Sequence, residues 1–262
     1  HYMDPHDPYF EHPYNGVGIA RVSMPEPEPE MAERLAELYR GEIAYLDENF
    51  GKLLARLEAD GLYDDTMIVL TSDHGEEFHE HGGFWHGLTL YDEQIRVPLL
   101  VKWAKGAEEP AAGAASGIAR LIDVGPTILA AAGVPVPDTM QGVDLRTPFG
   151  ARLEKDQQVF SEEDHEGNVL WSLRTEDEKL IVANGGNPRG LPEREYFDIS
   201  GDPLEQDPFE DPEAESRLEE MAELQRLAAE GKAVQGEDVE MDFATCERLR
   251  AIGYVEDCSH LR

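Results

Sequence analysis

The sequence predicts an α/β fold. Residues 1–150 are read as a mixed, mostly parallel sheet flanked by helices. Residues 151–262 are read as a small antiparallel-sheet subdomain with a helical tail. Three observations carry this reading. The run Met67-Ile68-Val69-Leu70 is continuously apolar and too short for an amphipathic helix, a pattern that suits a strand covered on both faces of a parallel sheet. Between Glu30 and Asp60 apolar residues recur three or four apart, the spacing of one helical stripe. From about Lys155 the texture changes to short strand-like segments separated by turn residues.

In chain order, His1 to Met3 reads as the end of a strand that begins upstream. Asp4 to Tyr14 reads as a loop, since Pro5, Pro8 and Pro13 oppose helix. The alternating Pro and Glu of residues 25–30 form a stiff, charged connector. The helix that follows carries Met31, Leu35, Leu38, Ile43, Leu46, Phe50, Leu53 and Leu57 on its stripe, with Gly61 as its stop. The apolar strand comes next, and Val97 to Trp103 reads as a second buried strand. Ala107 to Gly117 is a loop rich in small residues. Leu121 to Ala132 is a helix with Pro126 near its first turn and Gly133 at its end, and Val134 to Phe149 is irregular. Further strands are placed at Gln158–Ser161, Val169–Arg174, Lys179–Ala183 and Glu195–Ile199, with a turn at Asn184-Gly185-Gly186-Asn187. Arg217 to Glu230 is a helix presenting Leu218, Met221, Leu224 and Leu227, and a short helix is placed at Cys246 to Ile252.

The 262 residues include 56 acidic and 22 basic side chains, a formal net charge of −34. Such a surface repels nucleic acid and anionic membranes. No apolar run approaches membrane-spanning length. An anionic substrate would also be repelled at long range, so a bound cation and local histidines must reverse the field locally. Cys246 and Cys258 are spaced to permit a disulfide, but two cysteines decide no compartment, and cytoplasmic, periplasmic and secreted locations all stay open.

The chemistry gathers after the apolar strand. Asp73 and His74 are both metal-ligand types, and Gly75 allows a sharp turn or a close approach. His79, His81 and His86 follow in a Gly-rich loop. Asp-His-Gly alone is a common tripeptide, and strand ends of this kind are often only turns. The buried strand before it and the histidines after it favour a metal site, because rigid strand ends hold polar groups in place.

These residues resemble the metal-binding segment of the sulfatase family, within the alkaline phosphatase superfamily. Further segments agree in order: His1 to Tyr9, Leu90 to Leu99, Ile122 to Leu129, Gln141 to Leu145, Tyr196 to Ile199 and Leu249 to Val255. The resemblance implies an alkaline-phosphatase-like fold and metal-dependent hydrolysis of small-molecule or saccharide sulfate esters. It implies one divalent cation, usually Ca2+ with Mg2+ or Mn2+ as alternatives, held by Asp73, His74 and two upstream acidic residues. His74 stands where many relatives have asparagine. The family places a sulfate-contacting histidine at His6. His86 stands where many relatives carry a sulfate-binding lysine, so His6 and His86 are the expected catalytic and substrate-binding residues. His79 and His81 are assigned no role.

The family's nucleophile is formylglycine, made from Cys or Ser in a Cys/Ser-x-Pro/Ala-x-Arg motif. Cys246-Glu247-Arg248-Leu249-Arg250 resembles it superficially, but has Arg at the third position and lies in an expected helix. The nucleophile and two metal ligands are therefore expected upstream of His1, and residues 1–262 alone are expected to be inactive. A phosphomonoester, phosphodiester or phosphonate hydrolase of the same superfamily is the alternative, and a non-catalytic binding module is the other. No aspartate is followed four residues later by histidine, which counts against the two-zinc phosphodiesterase branch.

Overall fold

The computed structural model describes residues 2–107, 117–147 and 157–232, together with Arg152, Phe243 and Cys246. The first elements are a short antiparallel pair, β1 (Tyr9–Phe10) and β2 (Gly18–Ile19), within the proline-rich loop. Tyr2 and Met3 are not in a strand, contrary to the sequence reading, because they pair with no other strand among the described residues. Helix α1 (Ala32–Ala59) follows a helical turn at Pro29–Met31 and ends before Gly61, whose φ of +70° only glycine adopts without strain. Of its predicted stripe, Leu35 and Leu38 are buried against Tyr9, Phe84 and Trp85, whereas Ile43 and Leu53 are exposed. Periodicity identified the helix but overstated how much of the stripe is covered.

Strand β3 (Ile68–Thr71) carries the predicted apolar run, and β4 (Glu77–Phe78) pairs with β5 (Phe84–Trp85) in the histidine-rich loop. Helix α2 (Asp92–Ile95) precedes β6 (Leu99–Lys102). β3 and β6 pair antiparallel, with Ile68 opposite Lys102 and Thr71 opposite Leu99, so this pair does not supply the parallel part of the expected mixed sheet. All strand pairs among the described residues are antiparallel. An apolar run reports cover on a strand's faces and carries no information on the direction of its neighbour. Helix α3 (Val124–Ala131) matches its prediction.

The second region is a four-stranded antiparallel sheet in the order β10-β9-β8-β7, where β7 is Val159–His165, β8 Asn168–Arg174, β9 Glu178–Ala183 and β10 Arg194–Asp198. One face packs Leu173, Leu180 and Tyr196 on Ala214, Leu218 and Ala222 of helix α4 (Pro212–Glu230). The other face packs Ile181 and Phe197 on Tyr91, and Leu170 and Ala183 on Leu90. The sheet is thus covered by α4 on one side and by the segment leading into α2 on the other. Helix α4 starts five residues earlier than expected, because Asp211 accepts the Ala214 N–H at 3.0 Å and Pro212 occupies the first turn. Cys246 is buried and disulfide-bonded, while the rest of the predicted helix at 246–252 lies outside the described residues.

Candidate active site

The candidate site forms where β3 ends. Ser72 turns the chain by donating its hydroxyl to the His74 carbonyl at 2.7 Å. Gly75 and Glu76 then donate their N–H groups to the Gln94 and Glu93 carbonyls at 2.7 and 2.9 Å. A Cβ at position 75 would lie 2.1 Å from the Glu93 carbonyl oxygen, so glycine is required for close approach to α2 rather than to a ligand. The Asp-His pair is thereby pinned between β3 and α2.

His74 donates Nδ1–H to the Gly75 carbonyl at 2.7 Å, which leaves Nε2 with its lone pair free for a metal. Asp73 Oδ1 lies 3.9 Å from that nitrogen, a separation spanned by one ion bonded to both at about 2.0–2.6 Å. Among the described residues no three His, Cys, Asp or Glu side chains converge as a metal cluster. Asp73 and His74 fit a divalent cation as two donors of a larger shell.

The structure brings His6 and His86 to the same place. The His86 ring stacks on His74 with centroids 4.0 Å apart, and His6 lies 5.4 Å from His86 and 6.5 Å from His74. His86 sits in a loop bent by positive φ at Trp85 (75°) and Gly87 (78°), with Gly87 N–H donated to the Gln94 side chain at 3.0 Å. His6 is aimed by a bond from Nδ1 to the Asp7 carbonyl at 2.8 Å. His79 and His81 point elsewhere. His79 stacks on Phe84, and His81 stacks on Tyr91 while bonding Glu93 and the Glu205 carbonyl.

Sequence reasoning missed the groups behind His86. Glu76, buried, accepts the Nδ1–H of His86 at 3.1 Å through one oxygen and the Tyr9 hydroxyl through the other. Burial, and then the adjacent Glu76 carboxylate, pushes the Tyr9 phenol far above its ordinary value, so Tyr9 stays a proton donor. Arg21 donates to the His86 carbonyl at 3.3 Å. From the second region, Glu163 on β7 has its carboxyl pushed up by burial, against the opposing influence of His165 and His86. The signal for Glu76 was its place directly after Gly75; that Tyr9 and Glu163 face the same loop is a property of folding alone.

Residues 1–134 match the family model described as Sulfatase, and residues 79–230 match one described as N-sulphoglucosamine sulphohydrolase, C-terminal. The chain is 34% identical over 176 residues to an N-acetylglucosamine-6-O-sulfatase of Bacteroides thetaiotaomicron, covering 64% of this chain and 30% of that protein. It is 32% identical over 184 residues to arylsulfatase K of Bos taurus, covering 66% and 33%. A solved structure in complex with its substrate D-glucosamine-2-N,6-O-disulfate superposes with a TM-score of 0.65 at 28% identity, over 76% of this chain and 42% of that one. The chain spans about a third of the length of these two curated relatives.

Proposed function

This chain belongs to the sulfatase family, and from that premise we propose that the enzyme carrying it hydrolyses sulfate esters, with these residues forming the sulfate- and metal-binding side of the site. The observation that carries the reading is the convergence of His6, His74 and His86 beside Asp73 at one strand end.

In this reading Asp73 and His74 hold a divalent cation, Ca2+ first among Ca2+, Mg2+ and Mn2+, because a carboxylate suits a hard ion. When bound, that cation polarises the sulfate oxygens and offsets the negative field of the chain. His86, fixed through Nδ1 by Glu76, has Nε2 left to bond a sulfate oxygen or the bridging ester oxygen. His6 holds the ester from the other side. The attack on sulfur belongs to the formylglycine that the family resemblance implies. A sulfated saccharide as substrate is supported by the structural neighbour bound to a sulfated glucosamine.

The test is kcat/KM of the catalytically competent enzyme on a sulfate ester. His86→Ala is expected to lose about 2–4 kcal/mol of transition-state stabilisation, the scale for one preorganised donor. Asp73→Ala is expected to abolish turnover and to release the metal on dialysis. His86→Ala and Asp73→Ala enzymes as active as the parent would remove these residues from the site. A phosphate monoester or phosphonate turned over faster than its sulfate counterpart would favour the alternative hydrolase.

A further inference from the structure

His6 and His86 face each other at 5.4 Å from two loops that lie far apart in sequence. Each ring is aimed locally, His6 by the Asp7 carbonyl and His86 by Glu76. Bonding to the Asp7 carbonyl fixes the His6 ring on its own loop and leaves open how far that loop stands from His86. Arg21, which the sulfate and metal chemistry does not use, is bonded to both loops.

Arg21 reaches this place by strand register. In the β1–β2 pair Tyr9 lies opposite Ile19 and Phe10 opposite Gly18, so the same register continued past the strand ends brings Arg21 opposite Asp7. There the Arg21 N–H, at the start of the helical turn Arg21–Ser23, donates to Asp7 Oδ2 at 2.8 Å, and the carbonyl of the same Asp7 accepts from His6. The guanidinium then crosses to the other loop. Its Nη1 donates to the His86 carbonyl at 3.3 Å, and its Nη2 stands 4.0 Å from Glu166, in the turn that joins β7 to β8. A planar fork makes both contacts from one rigid group, which an ammonium on a flexible stem does not. The adjacent His165 ring flanks the same loop: a Cβ added at Gly87 would meet its Cδ2 at 3.8 Å.

The two ends of His86 are thus held by different groups, the ring by Glu76 and the backbone by Arg21. A sulfate gripped from two sides needs its two donors at a set spacing, and a misplacement of about 1 Å in such a grip costs up to about a hundredfold in rate. We propose that Arg21 is a positioning residue that sets the spacing of His6 and His86, holding Asp7 with its backbone and the His86 carbonyl with its guanidinium. This rests on the sulfate-ester reading of the two histidines.

The test is steady-state kinetics of the catalytically competent enzyme on 4-nitrophenyl sulfate, with parent, Arg21→Met, His86→Ala and the double variant. Methionine keeps the apolar stem and the backbone N–H to Asp7 and removes only the link to His86. Arg21→Met should lower kcat/KM about tenfold, the scale of one lost bond from a charged donor, with a rise in KM, because the grip on the sulfate loosens. In the His86→Ala background the same change should stay within about twofold, since the residue it positions is gone. Arg21→Gln, too short to reach both partners, should behave as Arg21→Met and replaces it if the methionine variant does not fold. Parental kinetics of Arg21→Met beside an impaired His86→Ala overturn the proposal and leave the sulfate reading standing. An equal tenfold loss in both backgrounds overturns it, as does a fall in kcat at parental KM, the signature of a smaller folded fraction. Parental activity of His86→Ala overturns the sulfate-binding reading and this proposal with it.

Discussion

The β7–β10 sheet and the segment bearing the histidines are stabilised in different ways. In the sheet each strand pairs continuously with its sequence neighbour, both faces are covered, and Leu173, Leu180 and Phe197 are fully buried. In residues 2–107 the described strands form three separate pairs, two of them only two residues long, and Leu100 on β6 is 60% exposed. The first region keeps its shape through side chain–backbone bonds and through docking onto the sheet. Asp92 at the start of α2 meets Arg174 at 2.6 Å and Lys179 at 3.0 Å, while Glu205 takes Lys179 at 2.7 Å and the Asp92 N–H at 2.8 Å. Tyr91 donates to Glu195 at 2.6 Å, and Arg189 reaches Glu77 at 2.8 Å. The teaching of the pair is a division of labour: reactive side chains sit on loops, and a sheet that carries none of the proposed ligands positions them.

Breaking that dock should have the largest effect. Lys179 and Glu205 are both fully buried, so Lys179→Met leaves Asp92 and Glu205 to share Arg174 alone, which is 2.6 Å from Asp92 but 3.8 Å from Glu205. A loss of about 3–5 kcal/mol of unfolding free energy is expected by urea titration. The double change Lys179→Met/Glu205→Gln should recover part of it. A single variant as stable as the parent would mean the cluster holds nothing together.

The contrast in burial is sharpened by the same truncation in both regions. Leu180→Ala, in the sheet core, should cost about 2–5 kcal/mol, and Leu100→Ala, on the exposed side of β6, within about 0.5 kcal/mol. Equal costs would mean the two regions are not built differently. Smaller again is the cap of α4, which holds the far face of the sheet. Asp211→Ala should cost about 1 kcal/mol by thermal or chemical melting, and Asp211→Asn should restore most of it.

The same contrast explains what was legible in the sequence. The sheet could be read nearly strand for strand, because its partners are adjacent in sequence and its turns carry Gly and Asn. Asp73 and His74 were nominated from their place after the apolar strand, His6 and His86 from the family resemblance, and the fold gathers the four at one strand end. What stayed hidden depends on contacts far apart in sequence. The pairing of β3 with β6 was not legible, because β6 begins 28 residues after β3 ends. Glu76, the carboxylate behind His86, is marked out only by its contact with Tyr9, 67 residues away in sequence. His81 was assigned no role, yet its side chain is only 11% exposed.

His81 gives the smallest and most diagnostic test of the dock. Its Nδ1 faces Glu93 Oε1 at 2.6 Å and its Nε2 faces the Glu205 carbonyl at 2.7 Å. Both partners only accept, so both ring nitrogens must carry protons. Burial alone would lower its pKa, but the bonds to Glu93 and to the Glu205 backbone outweigh it and hold the imidazole above its ordinary value. The ring also stacks on Tyr91 at 3.6 Å, with Gln206 at 3.2 Å, and Tyr91 donates its hydroxyl to the Glu195 carboxylate. A histidine whose folded pKa is raised contributes its full stability below the unfolded value, about 6.5, and loses it as pH rises through the folded value. Glu195 and Glu205 are also shifted up by burial, but their loss begins lower, in the carboxylate range. The urea midpoint of the parent should therefore fall from pH 6 upward, and His81→Gln, with one donor and no proton to lose, should flatten that limb. The carboxylate contribution near pH 5 should survive in the variant. A parent and variant with parallel curves above pH 6 would show that His81 is neutral in the folded protein, and that the seam between the two regions is held by the Lys179 cluster without it.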